Sequence, residues 1–415
     1  MLHVVWWEVK VSKLCNLRCT YCYEFEELGD KRRVSLDGWR KILESARWYQ
    51  ERMERRHGRG NVATRFLWHG GEPLLLPLRY YEDVVALQKE IFGADKLRDH
   101  TYGNDVPTNL FAVPPALVDF FKREGFQIAV SFDLDSTARV DVAGRPTQRK
   151  VAQNMERLMA DGWTLGCNTV LAAHTAPRLT EVYDFVRDLS HRSASHVYHN
   201  IIPLHRTPTD DGTAPFHLDA EPIVDALFRL FERWVDDPGA IALAPIQEYY
   251  LGVLRKVRGL PRLRAFDRRR DGEAVLIVNT DGRLFLFNDA YDPDKALGNV
   301  FEQPLREIMA SPAYRASLRR DAERAARHCG TCPYDGYCSR EPLVNSHRDH
   351  PGEHCAIGFP LYQKVERWAR ERGLDAMPLE DVPNARFVLA RPEDPGGRSP
   401  VGPRREPAKA GQPVA

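Results

Sequence analysis

No stretch of this 415-residue chain approaches the roughly 18 consecutive apolar residues that a membrane-spanning helix needs, so no transmembrane segment is expected. Residues 1–10 lack a basic leader, a long apolar core and a small-residue cleavage site. That excludes a secretory signal, and the expected address is the cytoplasm. A surplus of one charge sign is missing too: 59 Lys and Arg against 58 Asp and Glu leave a formal net charge of +1. Neither nucleic acid nor an anionic membrane surface is therefore implied as a partner. Hydrophobic residues at 43% and charged residues at 28% are ordinary for a globular protein. The length allows two or three domains, or one large barrel with additions.

Cysteine is sparse but clustered. Of eight cysteines, Cys15, Cys19 and Cys22 form one group, Cys329, Cys332, Cys338 and Cys355 a second, and Cys167 stands alone. In a reducing cytosol such clusters read as metal or redox sites rather than disulfides. Cys167 reads as a small core hydrophobe.

Residues 1–205 alternate strand and helix signals. Strands are expected at Val4–Val11, Arg65–Trp68, His100–Asn104, Gln127–Phe132, Leu165–Leu171 and His196–Pro203. Helices are expected at Leu36–Glu51 behind a Ser35 N-cap and at Tyr80–Phe92, where Val84, Leu87 and Ile91 recur at helical spacing. Others follow Pro114 and Pro115, which suit a first helical turn, and at Thr147–Met159 and Arg178–Leu189. Repeated βα units imply a parallel sheet. Six of them predict an α/β fold, a partial (β/α)6 TIM-like barrel with its chemistry at the carboxyl ends of the strands. Residues 206–270 read as a helical bridge, clearest at Val224–Val235. Residues 271–362 read as a small domain that carries the second cysteine group. It opens with a hairpin, Val275–Asn279 and Leu284–Phe287 around a turn at Thr280–Gly282. Residues 363–415 read as a C-terminal helix and a tail; from Pro392 onward it is rich in Pro, Gly, Arg and Ala and is predicted to be disordered.

The first cysteine group has the spacing C-x3-C-x2-C and directly follows the first strand. Three thiolates can hold three corners of a [4Fe–4S] cube and leave one iron open to bind a small molecule. Zinc could also use three thiolates with a water or a histidine, and spacing alone leaves both open.

The motif closely resembles the signature of the radical S-adenosylmethionine (SAM) superfamily, with Tyr21 at its aromatic position. The resemblance implies that SAM chelates the open iron and is cleaved to a 5′-deoxyadenosyl radical, which takes a hydrogen atom from substrate. A reductant such as flavodoxin or ferredoxin is implied with it. His69-Gly70-Gly71-Glu72-Pro73 resembles the family's GGEP motif, which contacts the SAM amino group. Val130-Ser131-Phe132-Asp133 resembles the strand whose serine, with a downstream arginine, holds the SAM carboxylate. Arg139 stands where that arginine is expected, with Arg145 as the alternative. Asn168 resembles a residue near the SAM ribose; a strand asparagine bonded to backbone is the plain alternative. Thr108-Asn109 is similar to a Thr-Asn-Gly segment, with Leu110 in place of the glycine. The resemblance covers residues 5–205.

The second group, C-x2-C-x5-C-x16-C, supplies four ligands and so a closed site, suiting zinc or an electron-transfer cluster. It resembles the SPASM extension of radical SAM peptide maturases, supported by Asn279–Gly282 and by Leu297–Ile308. The resemblance points to a cluster, with zinc as the alternative. A full SPASM domain holds two auxiliary clusters, but the ligands of the first are missing here: Phe287 and Pro342 stand where cysteines would. One SAM-binding [4Fe–4S] cluster and one auxiliary [4Fe–4S] cluster are expected. Sulfatase maturases place an aspartate where this chain has Asn288, and Asp289 follows. Asp133 and Asp289 are the candidate catalytic residues near substrate.

The expected activity is hydrogen abstraction from a ribosomally made precursor peptide to install a crosslink or related modification. The alternatives are oxidation of a small molecule or a sulfatase side chain, and a non-enzymatic zinc scaffold. No winged-helix-like recognition domain is read before the first strand, so a leader peptide would bind the barrel rim or a separate protein.

Overall fold

The computed structural model describes residues 3–98, 101–134, 137–193, 195–204, 214–262, 274–287, 292–338 and 351–388. Six parallel strands lie side by side in chain order: β1 (His3–Ser12), β2 (Val62–Gly70), β3 (Tyr102–Thr108), β4 (Gln127–Ser131), β5 (Leu165–Leu171) and β6 (Val197–Pro203). Helices α1 (Leu36–His57), α2 (Leu78–Phe92), α3 (Pro115–Glu124), α4 (Gln148–Ala160) and α5 (Leu179–Arg192) follow the first five strands in turn. This is the expected partial barrel.

Strand alternation sorts the side chains. Val5, Trp7, Val9 and Val11 of β1 are buried in the apolar core with Trp39 of α1, so Glu8, Lys10 and Ser12 take the opposite face. In β5 the buried set is Leu165, Cys167, Thr169 and Leu171, while Gly166, Asn168 and Val170 are half-buried. Cys167 is fully buried in the apolar core, as expected.

Three elements differ from expectation. Strand β3 runs on to Thr108 instead of ending at Asn104. Asn104 and Asp105 look like turn residues, but the fold satisfies both. Asn104 exchanges hydrogen bonds with Gln88 and accepts from Trp68 Nε1, and Asp105 pairs with Arg65 at 2.7 Å. The bridge is not wholly helical. Between α6 (Ala220–Val235) and α7 (Ile246–Val257) lies a seventh parallel strand, β7 (Ala242–Ala244), paired with Tyr198–Asn200. Three residues carry no periodicity of their own, and the edge of β6 makes them a strand. At the other edge, the hairpin β8 (Val275–Val278) and β9 (Arg283–Leu286) joins the barrel sheet itself, because β8 pairs in parallel with Trp6–Val9 of β1.

After the two-residue strand β10 (Gly298–Asn299), α8 (Pro312–Cys329) starts behind Ser311, whose hydroxyl accepts from Tyr314 N at 3.1 Å. It ends at the first auxiliary cysteine. Helix α9 (Gly358–Glu371) packs on α6 and α7 through Trp368 on Phe231 and Tyr362 on Tyr249, and an ion pair joins Lys256 to Glu366 at 2.7 Å. No helix among the described residues is long and apolar enough to cross a membrane. The tail from Pro392 and the candidate Asp289 lie outside the described residues.

Candidate active site

The loop after β1 carries Cys15, Cys19 and Cys22, all half-buried and free. Backbone bonds from Arg18 N to Val140 O at 2.7 Å and from Thr20 N to Ala138 O at 2.9 Å tie it to the segment after β4. Burial pushes the Cys15 thiol up to about 12 and the Cys22 thiol to about 11, and raises Cys19 as well. Glu72 and the neighbouring thiols raise Cys15 further, while Arg139 and Lys10 offset the rise only in part, at Cys19 and Cys22 respectively. These soft sulfurs become thiolates when a bound cation compensates them, and that donor chemistry fits an iron–sulfur cluster.

The two glycines of the 69–73 turn answer to the chain itself. Gly70 has φ +115°, and a Cβ there would collide with Ser12 O. A Cβ on Gly71 would collide with Lys13 O and Leu14 O. The turn therefore lies against the cysteine loop, sealed by Gly71 N to Ser12 O and Glu72 N to Leu14 O, both 2.9 Å. Glu72 is buried and uses both carboxylate oxygens. Oε1 accepts from Leu74 N at 2.9 Å and Thr108 Oγ1 at 2.8 Å, and Oε2 accepts from Asn109 N at 2.7 Å. Asn109 Nδ2 in turn donates to Asn16 Oδ1 at 2.8 Å and approaches Cys15 Sγ at 3.8 Å. Leu110, where the family has glycine, is fully buried with φ +51°, a backbone region that explains the glycine.

Tyr21 links the candidate residues at the end of β4. Its hydroxyl donates to Asp133 Oδ2 and accepts from Arg139 Nη1 at 2.9 Å. All three are buried. Burial disfavours the Arg139 cation, yet Tyr21, Cys19 and Asp133 hold its pKa well above the ordinary arginine value. Thr147 Oγ1 and Gln148 Nε2 donate to Arg139 O at 3.0 and 3.4 Å and fix its backbone. Arg145 is 77% exposed and pairs with Asp141 at 2.7 Å, away from this cluster. Ser131 and Asn168 are register partners on β4 and β5. The Asn168 side chain meets Asn200 Nδ2 at 3.5 Å, a side-chain contact where sequence allowed a backbone bond.

Sequence reading missed a charged group inside the barrel. Lys10, fully buried on β1, contacts the Tyr23 hydroxyl, Glu8 at 2.9 Å, His69 Nδ1 at 2.9 Å and Glu24 at 3.6 Å. Lys13 pairs with Glu24 at 3.0 Å and Glu27 at 2.9 Å. Burial would raise the Glu24 carboxyl, but Lys10 and Lys13 hold it low. His69 Nδ1 accepts from Gly70 N at 2.8 Å, and burial followed by Lys10 lowers its pKa to about 4. His69 therefore stands neutral with its proton on Nε2. The only sequence signal was the alternation of β1, which puts Glu8 and Lys10 on the polar face. His174 was missed as well; its ring stacks on Tyr21 at 5.1 Å, with Nε2 3.8 Å from Asp133 Oδ2.

The second cysteine group converges without help from the spacing argument. Cys329, Cys332, Cys338 and Cys355 line one small cavity with His328, Tyr334, Phe359 and Tyr362. Burial raises the thiols of Cys332 and Cys355. Four convergent thiols fit a closed cluster site. No three His, Cys, Asp or Glu side chains among the described residues gather closely enough to hold one metal ion.

Residues 9–186 match a family model described as the radical SAM superfamily, and residues 271–333 match one described as an iron–sulfur cluster-binding domain, SPASM. The second match stops before Cys338 and Cys355, which the fold nevertheless brings to the same cavity. The chain is similar to a serine-type anaerobic sulfatase-maturating enzyme of Bacteroides thetaiotaomicron, at 22% identity over 380 residues, 86% of this chain and 87% of that one. It is similar to a cysteine-type anaerobic sulfatase-maturating enzyme of Clostridium perfringens, at 24% identity over 309 residues, 72% and 77% of the two chains. Among solved structures it shares its fold with native anSMEcpe with bound AdoMet and Cp18Cys peptide, TM-score 0.65 at 18% identity over 89% of this chain and 97% of that one. It also resembles Streptococcus suis SuiB bound to precursor peptide SuiA, TM-score 0.56 at 16% identity over 86% and 76%.

Proposed function

For this chain, which is a radical SAM enzyme with a SPASM domain, we propose a polypeptide substrate: a ribosomally made precursor peptide from which it abstracts hydrogen to install a crosslink. We assign the SAM cluster to Cys15, Cys19 and Cys22, and a single auxiliary cluster to Cys329, Cys332, Cys338 and Cys355. Bound there, the first group would supply the electron that cleaves SAM, and the second would accept the electron that the substrate radical must lose. In this reading residues 1–205 form the barrel, 206–270 the bridge, 271–362 the auxiliary domain and 363–415 the C-terminal segment.

The chain's own residues do the rest. Arg139, held by Tyr21 and Thr147, offers a guanidinium to the SAM carboxylate beside Ser131. Tyr21 keeps Asp133 and Arg139 in one buried network, so the cation faces the cluster loop. Gly70 and Gly71 let the 69–73 turn lie directly against that loop. The Nε2–H of His69, whose Nδ1 is held by Lys10 and Gly70 N, presents a donor at the end of β2, suited to a peptide carbonyl oxygen. A reductant such as flavodoxin or ferredoxin supplies electrons from outside.

The observation that carries the peptide-crosslink reading is Asn288, at the place where sulfatase maturases keep an aspartate. The second reading, oxidation of a sulfatase side chain to formylglycine, is favoured by the sulfatase-maturating relatives. The anaerobically reconstituted enzyme is to be incubated with SAM, a reductant and either a peptide encoded beside its gene or a sulfatase-derived peptide. A crosslink located by tandem mass spectrometry in the first peptide supports our reading. An aldehyde trapped by a hydrazine in the second, with the first unchanged, overturns it in favour of formylglycine formation.

A further inference from the structure

The polar atoms around the auxiliary cavity are committed unequally. Tyr334 donates its hydroxyl to Glu366 Oε2 at 2.8 Å. Phe359 offers its backbone N–H, which reaches Cys355 Sγ at 3.3 Å. Tyr362 is fully buried on α9, its ring between Tyr249 at 5.3 Å and Tyr334 at 5.0 Å. Its hydroxyl donates to Tyr337 O across a long 3.4 Å, and the ring lines the same cavity as Cys338, close enough to interact with it. Helix α7 sets this arrangement. A Cβ on Gly252 would collide with Tyr337 O and sit 3.1 Å from the Tyr362 hydroxyl. The bare glycine thus lets the helix press both groups against the cysteine loop. A tyrosine hydroxyl is protonated at neutral pH and so is a donor.

We propose that Tyr362 is a positioning residue that donates a hydrogen bond to the Cys338 sulfur and thereby raises the reduction potential of the auxiliary cluster. A reduced cluster carries more negative charge on its sulfurs than an oxidised one. A donor to a ligand sulfur therefore stabilises the reduced form more, and a buried donor does so without screening by water. The proposal rests on the reading of Cys338 as a cluster ligand.

The test uses the full-length chain with Cys15, Cys19 and Cys22 replaced by alanine, so that only the auxiliary group contributes. Iron analysis comes first: about four irons per chain is the content of one [4Fe–4S] cluster, and none overturns the cluster reading itself. An EPR-monitored redox titration then compares this parent with Tyr362→Phe, which keeps the ring packing. The expected result is a more negative midpoint potential at unchanged iron content. A fluorinated tyrosine at 362, a stronger donor of nearly the same size, is expected to shift the potential the other way. It decides the matter should Tyr362→Phe shed iron. Potentials that match the parent at full iron overturn the hydrogen bond.

Discussion

Glu72 Oε2 accepts the backbone N–H of Asn109 at 2.7 Å, and the Asn109 amide reaches back to the cysteine loop through Asn16 Oδ1. The carboxylate thus ties the ends of β2 and β3 to the loop that carries Cys15. Because Glu72 also accepts from Leu74 N and Thr108 Oγ1, Glu72→Gln swaps one acceptor oxygen for a donor and leaves a buried N–H or hydroxyl facing it. Such a loss costs about 1–3 kcal/mol. A lower unfolding midpoint and a smaller iron content after reconstitution are expected. Wild-type values for both would show that the carboxylate does not anchor the loop.

Removing the three cysteines should separate the two metal sites. The variant with alanine at Cys15, Cys19 and Cys22 is expected to hold about half the iron of the parent, near four per chain instead of eight, and to make no 5′-deoxyadenosine under dithionite. Continued 5′-deoxyadenosine formation would move the SAM site elsewhere.

Arg139 and Arg145 are both plausible SAM anchors by sequence, and the fold separates them. Arg139 is buried beside Tyr21 and Cys19, whereas Arg145 is exposed and bound to Asp141. A charge-assisted contact with a carboxylate is worth about 1.5–3 kcal/mol. Arg139→Ala should therefore weaken SAM binding roughly tenfold or more, and Arg145→Ala should leave it unchanged. Calorimetric titration of SAM into each reconstituted variant checks this, and the reverse pattern overturns it.

His199 gives the stability a pH dependence. It is fully buried, with Nε2 2.9 Å from Thr169 Oγ1, and burial lowers its pKa from 6.5 to about 3. The unfolded chain thus binds a proton that the folded chain refuses between these values. Stability contributed by neutral His199 is complete above about pH 6.5 and is lost as pH falls toward 3. At pH 5 the loss is about 2 kcal/mol. His199→Gln should flatten the fall of the unfolding midpoint between pH 7 and pH 5. An equally steep fall would show that other groups carry it.

What could be read from the chain was whatever is local. Cysteine spacing located both metal groups, and period-two alternation found the strands whose polar residues do not mimic turns. Asn104 and Asp105 defeated it because their partners, Gln88, Trp68 and Arg65, come from other elements. The Lys10–His69 contact needs the β1–β2 register, in which Lys10 pairs with His69. No single-strand pattern contains it. The attachment of the hairpin to β1 is likewise a pairing of segments more than 260 residues apart. The glycines of the 69–73 turn were legible as a need for close approach, but the sequence did not tell whether ligand or chain was approached. The structure shows Ser12, Lys13 and Leu14 there.

The auxiliary site should be separable from SAM cleavage. Cys338 lines a cavity with Tyr334 and Tyr362, and follows Tyr337, whose carbonyl oxygen lies against Gly252 of α7. A substrate that has lost a hydrogen atom must also lose an electron and a proton to give a closed-shell crosslinked product, so an acceptor is required after SAM has been cleaved. Cys338→Ala removes one of four ligands, from a cavity that Cys15, Tyr21 and Arg139 do not line. Measurable 5′-deoxyadenosine and a sharp fall in crosslinked product are expected, each counted by mass spectrometry in the same reaction. A purely structural site would instead lower both together, through loss of folded enzyme, which circular dichroism and the iron content of the SAM cluster report independently. Normal product from a folded Cys338→Ala chain that lacks auxiliary iron would exclude the electron-accepting role.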